Sequence, residues 1–164
     1  MSPLVIALFT TFNIIIGPEN RCSEYDVSDY SYNPWIETKI VQEQPLMSLY
    51  TGKVYDSTRD TDIEHIVSRR EAHDSGMCNQ PKATRKKFAN DLLNLTLAAP
   101  HINRVNKRDK DASEWQPPLI EPHCWFSTRI LRVKSKYNLT VDPKEAVALY
   151  GMHTLCDSTN LGGL

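Results

Sequence analysis

Asp62-Ile63-Glu64-His65-Ile66-Val67 and, further along, Asn94-Leu95-Thr96-Leu97-Ala98-Ala99-Pro100-His101-Ile102-Asn103-Arg104 are the stretches on which the fold turns. The first alternates polar and apolar residues, as a half-buried strand does. Asn94 to Ala98 reads as a second short strand, and Pro100 opens a helix expected over 101–115, with Ile102 and Val105 on one face. Glu64 and His65 set a carboxylate beside an imidazole. Neighbours on a regular strand point to opposite faces, so both serve one site only if the strand ends or twists there. A neutral histidine is a good general base near neutral pH. A carboxylate with the amide oxygen of Asn94, Asn103 or Asn106 suits a hard cation, and the cations that follow suit phosphate. The combination points to metal-assisted hydrolysis of a phosphodiester.

Outward from this core, residues 35–41 read as a short helix or strand, and Tyr50 to Tyr55 as a turn feeding a strand. Residues 69–92 look helical, interrupted from Gly76 to Pro81. A helix is expected over 122–137, with Trp125, Phe126, Ile130, Leu131 and Val133 as its apolar stripe. Another starts at Asp142-Pro143 and runs to about 155. A frayed tail is expected at 160–164. The apolar run 4–16 is too short to span a bilayer and fits the core of a secretory leader. Residues 1–21 are therefore expected to be a leader and 22–160 a single domain. Cys22, Cys78, Cys124 and Cys156 are isolated and even in number, which suggests two disulfides and an oxidising compartment, with the pairing open. A mixed metal site from His73, Cys78, His123 and Cys124 is the lesser alternative.

The 164 residues carry a net charge of -1, which by itself argues against a nucleic-acid partner. The charge is unevenly distributed. Residues 1–68 hold four basic and ten acidic side chains, whereas residues 69–136 hold fourteen basic and seven acidic. A block near +7 is a plausible polyanion footprint. It includes the insert between the strands, with Arg69, Arg70, Lys82, Arg85, Lys86 and Lys87. Nothing reads as a helix-turn-helix, a zinc finger or another base-reading module.

The ordered elements Asp62 to Val67, Phe88-Ala89-Asn90-Asp91-Leu92-Leu93-Asn94-Leu95, Asn103-Arg104 and Lys110-Asp111 with Glu114-Trp115 resemble the HNH (ββα-metal, His-Me finger) endonucleases. The likeness is to the small exported bacterial branch, over roughly residues 22–156 with a core at 60–118. It implies an α+β fold with a ββα-metal core, additional helices and disulfides. It also implies a divalent-metal-dependent endonuclease that cleaves DNA, with RNA as an alternative, with little sequence preference, and leaves 5′-phosphate ends. In that reading His65 is the general base, and Asn94 orients it by accepting its other ring N–H. Glu64 and Asn103 hold one Mg²⁺, with Mn²⁺ or Ca²⁺ as alternatives. Asp62 is a further candidate ligand and His101 a substitute for Asn103. Arg69, Arg104, Lys107 and Lys110 contact the substrate. The chain is expected to act as a secreted or periplasmic monomer with no membrane association once the leader is removed. A disulfide-stapled binding module with a vestigial site is the competing reading.

Overall fold

The computed structural model describes residues 1–158; the tail expected at 160–164 lies outside the described residues. Helix α1 (Pro3–Thr11) is capped by Ser2, and its Val5 and Phe9 are buried in the main core. Ile16 then pairs with Val141 in an isolated parallel bridge. A strap over residues 22–33 contains a tight turn, Val27–Tyr30, and leads to α2 (Ile36–Glu43). Of the two readings of 35–41, the helix is the one that forms. The strand expected after Tyr50 reduces to a single bridge, Met47 to Val54, because Gly52 at φ 70° turns the chain back too soon.

Strands β1 (Asp62–His65) and β2 (Leu95–Ala98) form a two-stranded antiparallel sheet in which Glu64 pairs with Thr96 and His65 with Leu95. Between them lie α3 (Arg69–Asp74) and α4 (Lys82–Ala89), broken by a turn at Gly76, whose φ of 111° a side chain would strain. Helix α2 covers the sheet with Ile36 and Ile40 against Leu95 and Leu97. After β2 the chain is helical only to Lys107, as a π-helical segment Ile102–Lys107 closed by an N–H from Arg108 to the Asn103 carbonyl (3.0 Å). The helix expected to reach 115 stops there because Arg108 takes φ 53°. Asp111 then gathers the backbone N–H groups of Ser113 and Glu114 into a turn.

Helix α5 (His123–Tyr137) ends at Asn138 in the left-handed conformation, as helices often do. Helix α6 (Pro143–His153) starts at the Asp142 cap, which accepts from Lys144 and Glu145, and α7 (Leu155–Ser158) follows. Phe126, Ile130, Leu131 and Val133 are buried as the apolar stripe requires, and Trp125 is half-buried beside them. The fold is α+β. Among the described residues no helix is long and apolar enough to cross a membrane.

Two disulfides close the molecule. Cys22–Cys78 ties the strap to the turn after α3, and Cys124–Cys156 ties α5 to α7. They span 56 and 32 residues, so loop closure assigns each about 4 kcal/mol against the unfolded chain. All four sulfurs are thereby used, which removes the mixed Cys/His metal site.

The core also holds charge. Lys134 is fully buried and pairs with Glu71 (2.7 Å) and Glu145 while donating to the Thr140 carbonyl (3.1 Å). One ammonium cannot neutralise two buried carboxylates, and the two diverge. Burial raises the Glu145 pKa to about 8, with Lys134 opposing and Glu71 adding. For Glu71, burial is outweighed by Lys134, and its pKa falls. Glu145 therefore keeps its proton in the folded chain up to a pH at which the unfolded chain, with an ordinary carboxyl near 4.3, has lost it. The contribution to stability is complete at low pH and is lost as pH rises toward about 8. Urea denaturation at stepped pH should show this as a falling stability, at most about 1.4 kcal/mol per pH unit, that Glu145→Gln removes. An unchanged slope in the variant would contradict the assignment.

Candidate functional site

Strand β1 ends at His65, and both Glu64 and His65 line one cleft of about 360 Å³, so the strand does end where two neighbours must share a site. Lys107, the last residue of the π-helical segment, is 1 % exposed and places its Nζ 2.7 Å from Glu64 Oε1, itself on a 2 % exposed side chain. The same Nζ donates to the His65 carbonyl (2.9 Å). Burial pushes the Glu64 carboxyl up, and Lys107 pulls it back. Tyr50 adds a long hydrogen bond to the same oxygen (3.5 Å). Lys107 is therefore the buried counter-charge of the strand end, and its ammonium is not presented to a substrate.

The ring of His65 lies over Phe88 with an interplanar angle of 22° and meets the edge of Tyr32 at 5.4 Å. Its Nε2 stands 3.0 Å from the Ala89 carbonyl. A carbonyl only accepts, so Nε2 carries the proton and Nδ1 is the acceptor. Burial first, then Arg69, brings the His65 pKa down to about 3, and the ring is neutral at physiological pH. Asn94 does not orient this ring, as the sequence reading has it. It is fully buried and clasps the backbone of Val67, accepting from Val67 N (2.8 Å) and donating to Val67 O (3.0 Å). Its own carbonyl accepts from Ile66 N. Asn94 thus fixes the chain just beyond His65, and the Ala89 carbonyl fixes the ring.

Asn103 and Arg104 rise from the π-helical segment into the cleft. Arg104 grips both oxygens of Asp62 (2.7 and 2.5 Å), and Asn103 Nδ2 donates to Asp62 Oδ2 (3.1 Å). Arg69, Arg70 and Arg108 complete a lining of four arginines against Glu64 and Asp109. Arg69 and Arg104, expected as substrate contacts, both line the cleft. Lys110 does not line the cleft and reaches back to the Asn106 carbonyl (2.9 Å). His101 is exposed outside it. In the insert, Lys82 and Arg85 turn instead to Asp29. His73 is fully buried between Tyr30 and Ser23 and is structural. Arg108, Tyr25 and Tyr32 are cleft residues that sequence reasoning passed over. Arg108 joins the lining from the turn, at φ 53°, that closes the π-helical segment.

Glu64 and Asn103 line the cleft, Asp62 accepts from the Nδ2 of Asn103, and all three are the oxygen-bearing types a hard divalent ion requires. Each is engaged within the protein, so an ion there would compete with Lys107 for Glu64 and with Arg104 for Asp62. Asp111, Asp142 and Glu145 also bring three carboxylates within 4.8 Å of one another, outside this cleft.

A disulfide-stapled α+β domain with a histidine, amide and carboxylate set in an arginine-lined cleft is the class the geometry defines. Residues 20–152 match the GmrSD restriction endonucleases, C-terminal domain, and the chain belongs to that family. An uncharacterized secreted protein of Arthroderma benhamiae is 36% identical over 111 residues, covering 66% of this chain and 54% of the relative. The chain therefore spans about half of that relative's length. No solved structure matches.

Removal of the Lys107 charge should leave Glu64 buried and unpaired. Lys107→Met is expected to cost about 3–5 kcal/mol in urea denaturation, and the double change with Glu64→Gln to restore part of it. Additive losses would show that the two do not act as a pair.

Proposed function

We propose that the chain is a divalent-metal-dependent endonuclease that hydrolyses nucleic-acid phosphodiesters with little sequence preference, built on a ββα-metal core of β1, β2 and the Ile102–Lys107 segment. The observation that carries this reading is His65: neutral, its tautomer set by Ala89, and its Nδ1 available as acceptor on a ring that lines an arginine-rich cleft. Nδ1 takes the proton of a water that attacks phosphorus, the 3′ oxygen leaves, and the product carries a 5′-phosphate. Arg69 holds a phosphate oxygen, and Arg104 does so with its fork once an ion takes Asp62 from it. Glu64, Asn103 and Asp62 would hold the ion, with Mg²⁺ the first choice and Mn²⁺ or Ca²⁺ the alternatives. Such an ion supplies charge to the non-bridging oxygen and to the leaving group. With phosphate contacts and no base reader, affinity comes without sequence information.

DNA is the proposed substrate and RNA the alternative, and the acting unit is a monomer. Export fits the two disulfides and the secreted relative. Residues 1–21 are proposed as a leader: the family match begins at residue 20, although Val5, Phe9 and Ile14 pack into the main core, so its removal would uncover that surface. An exported bacterial origin is the narrower reading. In that reading α1 leaves with the leader, and N-terminal sequencing of exported protein should start near residue 22.

Plasmid digestion tests the activity. Nicking should require a divalent ion, stop with EDTA, and fall about 100-fold or more in His65→Ala. No chelator-sensitive nicking, or full activity in His65→Ala, would overturn the reading.

A further inference from the structure

The cleft has a wall that phosphate chemistry does not use. Tyr25 and Tyr32, both partly buried, line it from the strap. The guanidinium of Arg70 lies 5.7 Å from the Tyr25 ring centroid, and that of Arg69 lies 5.4 Å from the Tyr32 centroid. Tyr32 also stands 5.4 Å from the His65 ring. We propose that this wall is a stacking surface for an unpaired nucleobase next to the phosphate at His65, so that the cleft takes single-stranded nucleic acid. The inference rests on the nuclease reading of the same cleft and narrows its substrate.

Three features support it. The strap is held in place before any ligand arrives. Cys22–Cys78 anchors one end, Tyr30 bonds to His73 Nδ1 (2.8 Å), and Asn90 accepts from Asn33 N (2.8 Å) while donating to Ser31 O (3.1 Å). Little ordering cost therefore falls on binding. Rings with guanidinium groups against them provide flat surface and positive charge together, and nucleobases stack on both kinds of group in single-strand sites. In a duplex the same base face is already covered by its neighbours, and exposing it costs unstacking and unpairing. The amide of Asn103, which also lines the cleft, has its Nδ2 on Asp62 (3.1 Å). A wall that reads base faces tolerates any base and discriminates strandedness.

Fluorescence anisotropy in EDTA, with a short labelled oligodeoxynucleotide, its duplex and the matching RNA strand, separates binding from hydrolysis. Both single strands should bind comparably and roughly tenfold more tightly than the duplex, the lower part of what one stacked base contributes. Tyr32→Leu should erase that margin, weakening single-strand binding far more than duplex binding, whereas Tyr32→Phe should keep it. Tyr25→Leu, away from the His65 ring, should reduce the margin in a chain whose melting confirms folding. Equal affinity for single strand and duplex, or an equal loss on both in Tyr32→Leu, would overturn the inference. Metal-dependent cleavage of both forms at one rate would overturn it too while leaving the nuclease reading intact. No binding to any of the three would overturn both.

Discussion

The ammonium of Lys107 lies where water does not reach, and three parts of the chain are arranged around it. Its nearest charge is Glu64 on β1, its second acceptor is the His65 carbonyl, and its own backbone ends the π-helical segment. A buried charge without a partner is among the most costly defects a fold can carry. The ion pair therefore fixes the distance between β1 and the segment that carries Asn103 and Arg104. That distance sets the width of the cleft. The same contact fixes the backbone orientation at His65, whose ring must meet the Ala89 carbonyl.

The interior shows the same pattern on a larger scale. Lys134 binds α5 to α3 and α6 through Glu71 and Glu145. Two buried lysines thus tie distant segments together, Lys107 the Ile102–Lys107 segment to β1 and Lys134 α5 to α3 and α6. Apolar packing supplies the bulk of the stability, and these ion pairs select the arrangement in which every buried charge has a partner. The disulfides act at the periphery, where the strap and the C-terminal helices have less core of their own.

Much of this was legible in the chain. The alternation at Asp62 to Val67, the cap at Asp142-Pro143 and the stripe on α5 depend on local periodicity and local capping, and the observed elements follow them. The charge block contains the four arginines that line the cleft, while Lys82, Arg85, Lys107 and Lys110 of the same block turn to partners within the protein. What sequence could not supply was partnership at a distance. Lys107 looks like any other cation until Glu64 is found beside it. Asn94 looks like an orienting amide until Val67 is found in its grasp. Tyr25 and Tyr32 lie in a segment without periodicity, and the Cys22–Cys78 bond, together with the hydrogen bonds of Tyr30 and Asn90, brings that segment to the cleft. Helix length after Pro100 was misread because Arg108, in a conformation unusual for a residue with a side chain, breaks it without a glycine or proline to signal the break.

The clasp of Asn94 on Val67 bears on how the chain can be made. Asn94-Leu95-Thr96 is an acceptor sequence for N-linked sugar, and Asn94 and Thr96 are both fully buried in the folded protein. A glycan cannot be added once β2 has paired. In a secretory route that glycosylates, sugar transfer and strand pairing are therefore rivals for the same amide. A chain modified first could not close its grip on Val67. Asn138-Leu139-Thr140, with Asn138 exposed at the end of α5, raises no such conflict and could carry sugar on the finished surface.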